Sequence, residues 1–415
     1  MAHSFGGGIR FKRGKLPPLH SQVLPSASIT LTVSPSRPLL LSKGDRIGRG
    51  GLVAAPVNGA AAVYSGISGI VTEIEEAADV TTVVITRDAA LPGDPPLPPV
   101  EERLANLSEE ALKALLLERG VTPPPKSEKS LKHLIIDCSG DDPYNESRGS
   151  LCLACAGDVV GGAKILMKLL TVRQAVFVVS KDHRKVAREL MSYMPAGSKM
   201  LTTALVGNLF PQAEPRLLVS SLFDVEIHSS TPLTQTSYAV VSPLLCKASF
   251  DALAKGIPFT DVAVTVTEEP LSPSSQRVLT VPIGTAFSEL LFFSGNTLSE
   301  QVRLTVGGGY RALPARPADT VASDTEALSL LRVKSKRRLG ICIGCGRCSH
   351  ACPIRLSPAI LYEAAITDRR KAALRLDLDA CLGCGTCTAA CPAGIPLAET
   401  ITAYRAALVG DSDEG

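Results

Sequence analysis

Tryptophan is absent from this chain of 415 residues, and tyrosine and phenylalanine number only 7 and 10. Single-stranded nucleic acids are held on aromatic platforms in basic grooves. With few aromatics and a formal net charge of +3, the chain offers neither, and no nucleic acid partner is expected. Long hydrophobic runs are also missing: "LIIDC" and "AVFVV" are strand-sized, well short of the roughly 18 residues of a spanning helix. Direct membrane insertion is therefore not expected. The opening "MAHSFGGGIRFKRGKL" has no apolar centre of the kind a secretory leader needs, which points to a soluble protein in a reducing, cytoplasmic setting. In such a setting twelve cysteines imply metal or redox chemistry rather than a disulfide framework.

Hydrophobic residues make up 45% of the chain and charged residues 20%, a globular balance, and the length calls for several cores. A multidomain α+β protein is expected. The runs "SITLTV", "GLVAAPV", "AAVYSG" and "GIVTEIE" alternate apolar and polar positions between glycines, the mark of a small antiparallel β-domain. The phrase "SKGDRIGRGGLVAAPVNGAAAVYSGISGIVTEI" resembles the barrel-sandwich, lipoyl-like domain, assigned to residues 1–90. Where a carrier domain presents its modifiable lysine this chain has "NGAAA", so the module is expected to be unmodified and to serve interactions.

A proline-rich linker and a helix, "LSEEALKALLLERG" with serine at its N-cap, occupy 91–127. Over 128–265, "LKHLIIDCSG", "AVFVVS" and "PRLLVSSLF" alternate with the helical "GDVVGGAKILMKLL" and "HRKVARELMSYM", which predicts a Rossmann-like α/β layer. Residues 266–320 read strand, helix, strand and then a turn at Gly307, Gly308 and Gly309, and look like a β-grasp (SLBB-like) module. The remainder, 321–415, is helical and rich in cysteine.

That last segment carries the readable chemistry. Cys342, Cys345, Cys348 and Cys352 are repeated as Cys381, Cys384, Cys387 and Cys391, each run of the form C-x2-C-x2-C-x3-C-P. In iron-sulfur runs of this form the fourth cysteine ligates the other cluster. Cys342, Cys345, Cys348 and Cys391 are therefore assigned to one [4Fe-4S] cluster, and Cys381, Cys384, Cys387 and Cys352 to a second. Gly344, Gly346, Gly383 and Gly385 let the backbone approach the cluster and present N–H donors, while Pro353 and Pro392 end each loop. Zinc knuckles, the competing reading, call for one tetrahedral set of four ligands, usually two C-x2-C pairs separated by a long spacer. The 28 residues between Cys352 and Cys381 contain helix-forming stretches, so an α-helical two-cluster ferredoxin domain is expected.

The other cysteines are less telling. Cys152 and Cys155, in "CLAC", fit a redox dithiol, a third metal site or buried positions on a helix; Cys138 and Cys246 read as core. The six histidines form no ligand pattern, and His350 reads as a loop residue. The basic "KSKRR" at 334–338 suits either steering of an acidic redox partner or a solvated linker, and "KDHRK" at 181–185 reads as a solvated turn.

In order, "FGGGIRFKRGKLPPL", the barrel-sandwich with "KGDRIGRG", the Rossmann-like layer, "VPIGTAFSELLFFSG" leading to "VGGGY", and the two cysteine runs resemble the RnfC-like electron-transport family. That family comprises the C subunit of the Rnf complex and soluble relatives such as a cobalamin reductase and a proline-reductase-associated protein. The resemblance implies electron transfer, with NADH and FMN as further cofactors held by a glycine-rich loop ahead of the first Rossmann strand. Here that place reads "LERGVTPPPKSEKSLKHLIID", with three prolines and no glycine run, so the flavin site is not carried over. "DCSGDDPYNESRGS" is similar to the family segment after that strand, in which Asp141 and Asp142 would face a nucleotide; the same residues also signal a turn.

The expectation is an electron-transfer protein that relays electrons through two clusters from NADH, a flavin or another reduced carrier to a partner reductase. The alternative is a docking component of an Rnf-type membrane complex, peripheral to the membrane through its partners. Some family members carry a long repetitive tail; here the chain ends at "VGDSDEG", which favours the soluble, reductase-associated form.

Overall fold

The computed structural model describes residues 5–57, 59–100, 104, 106–140, 142–271, 275–309, 312–333 and 340–410. Asp141 and the basic run at 334–338 lie outside the described residues. The chain opens as an extended arm with two strands, β1 (Ile9–Arg10) and β2 (Leu19–Val23), whose pairing partners lie far along the sequence.

The first β-layer follows. β3 (Ser28–Val33), β4 (Arg46–Ile47), β7 (Gly69–Glu76) and β8 (Thr81–Arg87) form an antiparallel sheet in the order β3-β8-β7-β4. β5 (Leu52–Ala54) pairs with β6 (Val63–Tyr64) in a separate ribbon. The alternation in "SITLTV" sends Ile29, Leu31 and Val33 inward, and the first two meet Val53, Val71, Val83 and Ile85 in one core. The arm is not part of this layer, contrary to the assignment of 1–90 as one unit: its two strands pair elsewhere. Helix α1 (Glu109–Glu118) begins where Ser108 accepts a hydrogen bond from the Ala111 N–H at 3.2 Å, the cap that its position before two glutamates predicts.

A fully parallel sheet comes next: β9 (His133–Asp137), β10 (Ala175–Ser180), β11 (Leu201–Val206) and, beyond the short β12 (Leu209–Phe210), β13 (Tyr238–Val241). Its order is β11-β10-β9-β13, so the sheet grows outward from β9 in both directions. Helices α2 (Ser147–Ala154), α3 (Ala156–Leu169), α4 (Arg184–Ser192), α5 (Pro215–Phe223) and α6 (Pro243–Phe250) accompany it. The continuous apolar strands have two covered faces. Leu134, Ile136, Phe177 and Val179 pack with Val159, Val160 and Leu166 of α3, whereas Ile135 and Val178 pack with Leu218 and Val219 of α5.

The third layer is a mixed sheet of β14 (Asp261–Glu268), β15 (Gln276–Pro282), β16 (Val302–Val306), β17 (Leu313–Pro314) and β18 (Ala327–Arg332), with helix α7 (Phe287–Ser294) against it. The order is β17-β16-β18-β14-β15-β2, with β14 and β18 parallel at the centre and the arm's β2 at one edge. This sheet runs from 261 to 332, so the expected boundaries at 265 and 320 cut through β14 and leave out β18. A short apolar run carries no record of which sheet it will join, and only pairing decides it.

Among the described residues the cysteine-rich segment forms the α-helices α8 (Arg347–Ala351), α9 (Pro358–Ile366), α10 (Arg370–Arg375), α11 (Thr386–Ala390) and α12 (Leu397–Gly410). α8 packs on α11 and α9 on α12. Among the described residues no single helix is long and apolar enough to cross a membrane. α2 and α3 together pass that test, but the chain bends by 100° between them and both helices contribute to the core.

α3 and α6 approach closely at Gly162, where an added methyl group would overlap the carbonyl oxygen of Cys246. Gly162→Ala should therefore destabilise the chain by about 2–3 kcal/mol through overpacking, read as a lowered urea midpoint at unchanged slope. An unchanged midpoint would mean the two helices do not meet there.

Candidate metal centre

Each cysteine run folds as a loop followed by one short helix. Gly344 and Gly346 in the first run, and Gly383 and Gly385 in the second, have positive φ values of 64 to 81°. Gly346 and Gly385 are the residues from which α8 and α11 start. The third cysteine of each run thus lies in the first turn of a helix, and the fourth sits at its C-cap with extended backbone leading into proline. Cys348, Cys352, Cys387 and Cys391 are each only 8% exposed, so the helices turn these thiols inward. Cys381 and Cys384 are half-buried.

The two loops meet across a small cavity. Its wall contains Cys381, Cys384 and Cys387 of the second run together with Cys352 of the first, backed by Leu356, Leu361, Thr386 and Ile401. These are the four cysteines that the crossed-ligand rule assigns to one cluster.

Burial pushes the Cys387 thiol up to about 12, and the neighbouring Cys384, Cys381 and Cys352 push the same way. Burial also raises Cys352, to which Cys384 and Cys381 add. Such thiols keep their protons at neutral pH unless a metal displaces them.

The surroundings suit an anionic cluster. The Leu356 N–H donates to Cys352 Sγ at 3.3 Å, and Thr386 Oγ1 lies 3.2 Å from Cys384 Sγ. Burial raises the Cys381 thiol as it does Cys387; the backbone N–H groups of Gly383 and Thr388 pull against it at the two sulfurs, and the Arg405 guanidinium, bonded to the Cys381 carbonyl, does so at Cys381. Donors to sulfur and a nearby cation stabilise cluster charge and tune its potential. Four inward thiols around one cavity fit a [4Fe-4S] cluster.

The other four cysteines are arranged less symmetrically. Cys348 and Cys391 share the helical core, while Cys342 and Cys345 stand exposed on the preceding loop beside Ile341 and Ile343, themselves 89% and 71% exposed. One half of the domain is sheltered and the other faces outward.

The remaining candidates resolve by position. Cys152 is fully buried against Cys138, with Cys246 also close, and burial raises its thiol. Cys155 ends α2 in a separate, half-buried setting near Lys247 and Asp158, so "CLAC" does not present a paired dithiol. His350 is an exposed residue of α8. The turn at 181–185 is solvated except for His183, which is buried against the Gly14 carbonyl at 3.1 Å.

Ahead of β9 the chain does not build a phosphate cradle. Pro123, Pro124 and Pro125 have no N–H, and those of Gly120, Val121, Glu128, Lys129 and Lys132 already bond within the chain. Beyond β9, Asp142 is buried and accepts from the Tyr144 N–H at 2.8 Å, and Arg148 bridges Asp137 and Glu326. Asp142 closes its own turn, and these residues do not fit the phosphate of FMN.

The cross-loop ligation that the cysteine spacing predicts would make the two fourth cysteines diagnostic. Cys352→Ser should remove or alter the cluster held by Cys381, Cys384 and Cys387 and leave the other, read as a loss of about half the iron and of one of two paramagnetic signals after reduction. Loss of the signal belonging to Cys342, Cys345 and Cys348 instead would reverse the assignment. Because burial raises these thiols, Cys387 to about 12, uptake of iron and sulfide by the apoprotein should release protons and keep quickening as the pH rises toward that value; a rate independent of pH would show thiolates already formed.

Comparison with known proteins points to the same segment. A 4Fe-4S dicluster domain matches residues 341–395. The C subunit of the proton-translocating ferredoxin:NAD(+) oxidoreductase complex of Clostridium ljungdahlii is 26% identical over 351 residues, covering 79% of this chain and 75% of that protein. Its Na(+)-translocating counterpart from Acetobacterium woodii is 22% identical over 348 residues, covering 78% and 77%. The C subunit of the ion-translocating oxidoreductase complex of Rhodobacter capsulatus is 29% identical over 288 residues, covering 68% and 55%. Among solved structures, the NAD+-reducing [NiFe]-hydrogenase in its H2-reduced state is 15% identical with a TM-score of 0.49, over 74% of this chain and 64% of that one. With the dicluster segment at its C-terminal end and alignment to these relatives over most of its length, the chain is similar to the C subunits of Rnf-type electron-transport complexes.

Proposed function

We propose that this chain is the iron-sulfur electron-transfer subunit of an Rnf-type ion-translocating oxidoreductase complex, relaying single electrons through two [4Fe-4S] clusters in its C-terminal domain. The observation that carries this reading is the cavity walled by Cys352, Cys381, Cys384 and Cys387, which gathers one complete ligand set from two separate runs. Cys342, Cys345, Cys348 and Cys391 are the ligands of the other cluster. The similarity to components of complexes that join ferredoxin and NAD(+) supports attachment to a membrane assembly through partner proteins.

The three β-containing layers take the remaining roles. The antiparallel layer is read as a barrel-sandwich, and the parallel sheet of order third-second-first-fourth as a Rossmann-like layer. The mixed sheet with its central parallel pair is read as a β-grasp module. These layers hold the cluster domain at a fixed place: Ser229 Oγ bonds the Asp379 carbonyl at 2.6 Å, two residues before Cys381, and the arm bonds the helix of the first run. Both attachments lie beside the sheltered cluster. That cluster is the inner station, and the exposed loop of Cys342 and Cys345 is the outer one, where a partner protein can come close. The same layers suit a docking role within a larger assembly, which is compatible with the relay.

NADH oxidation through FMN is not part of this proposal, since the segment before β9 lacks the phosphate cradle. Anaerobic purification should yield about eight irons and eight sulfides per chain, with no stoichiometric flavin. A colourless preparation, or zinc in place of iron, would overturn the reading; iron together with one flavin per chain would restore the dehydrogenase role.

A further inference from the structure

The sheltered cluster has a neighbour that the cysteine runs do not announce. The arm at the N-terminus ends against the first run: Gly8 N–H donates to the Ala351 carbonyl at 2.9 Å, and Gly7 lies on the carbonyl of Cys352. A Cβ at Gly7 would sit 2.6 Å from that oxygen and 3.1 Å from the His350 carbonyl oxygen, and its φ of +81° already disfavours any side chain. A Cβ at Gly8 would meet the Phe210 carbonyl oxygen at 2.8 Å on the other side. Only a glycine backbone can thread this gap between the parallel-sheet layer and the cluster domain.

Beyond the gap the arm is tied down repeatedly. β1 pairs with β12, Ile9 opposite Phe210 and Arg10 opposite Leu209. Arg13 Nη1 pairs with Glu146 Oε2 at 2.7 Å, their side chains 1% and 3% exposed. The Gly14 carbonyl meets His183, the Pro17 carbonyl accepts from Ser150 Oγ at 2.7 Å, and β2 adds an edge strand to the mixed sheet. Because the strap is anchored in two layers, its far end cannot drift from the cluster.

We propose that Gly7 and Gly8 are positioning residues for the inner cluster: the arm clamps the Ala351–Cys352 backbone, aiming the one ligand that the first run lends to the second and keeping water from that side. This rests on the two-cluster reading above. Cluster potentials follow ligand orientation, hydrogen bonding to sulfur and solvent exposure. Water reaching the cluster favours its more negative, reduced form, so a loosened clamp should raise that cluster's potential while the outer one keeps its own.

The test is a redox titration of the full chain, reading both paramagnetic signals, for wild type, Gly7→Ala, Gly8→Ala and Gly14→Ala. Gly14 is the control, since a methyl group there meets nothing within 4 Å. The expected result is an upward shift and altered line shape of the Cys381, Cys384 and Cys387 cluster alone in the Gly7 and Gly8 variants, with iron content kept and the Gly14 variant unchanged. Should the added methyl prevent folding, a chain lacking residues 1–7 removes Gly7 without adding bulk and should shift the same signal. Wild-type potentials for both clusters in all variants, or an equal shift of both, would overturn the clamp while leaving the two-cluster reading intact. Wild-type protein without iron would sink both.

Discussion

A thiol drawn out of water resists giving up its proton, and the C-terminal domain draws four of them in at the ends of two one-turn helices. Iron resolves that conflict by taking the proton's place, so the folding of this domain and its loading with metal are coupled. The crossed ligation proposed for the two runs would strengthen the coupling. Cys352 lines the cavity of the other run, so with that ligation neither loop would complete its site without the other, and the helices packed beside the loops must hold the pair face to face. α9 and α12 do this with Leu361, Ala364 and Ile401, an apolar contact that carries no redox chemistry itself.

The rest of the molecule serves to place this unit. Three layers with separate cores stand ahead of it, and the arm runs from the cluster helix at Gly7 and Gly8 across two of them. The arm adds an edge strand to one sheet, pairs with a short strand beside another and buries an ion pair on the way. Little water reaches that anchor, whose side chains are 1% and 3% exposed, and burial pushes Glu146 up to about 7 against the pull of Arg13. Such an arrangement orients the domain: the sheltered cavity faces the layers and the exposed loop faces solvent, which gives an electron path a direction in space if not in time.

Legibility in the sequence varied with the range of the interaction involved. The helix after Ser108, the buried parallel strands and the alternating strand of Ile29, Leu31 and Val33 were readable because capping and periodicity are local. The limits of the layers were not, since "DVAVTVTE" and "ALSLLR" are apolar runs that suit any sheet, and they joined the mixed one. The "GGG" near the start was visible as a feature of the resemblance, yet nothing local could say that Gly7 would abut the carbonyl of Cys352, some 345 positions away. Arg405 beside Cys381 was missed for the same reason: one arginine on a terminal helix carries no spacing signal.

Sequence alone determined the eight cysteines, their short intervals and the glycines between them, because a loop that wraps a cluster needs sulfur and small residues at fixed steps along the backbone. Tertiary structure decided which thiols are sheltered, which stand at the surface, and which distant segment braces Cys352. Those outcomes depend on contacts between residues hundreds of positions apart, where burial and backbone approach are set by packing rather than by neighbours in the chain.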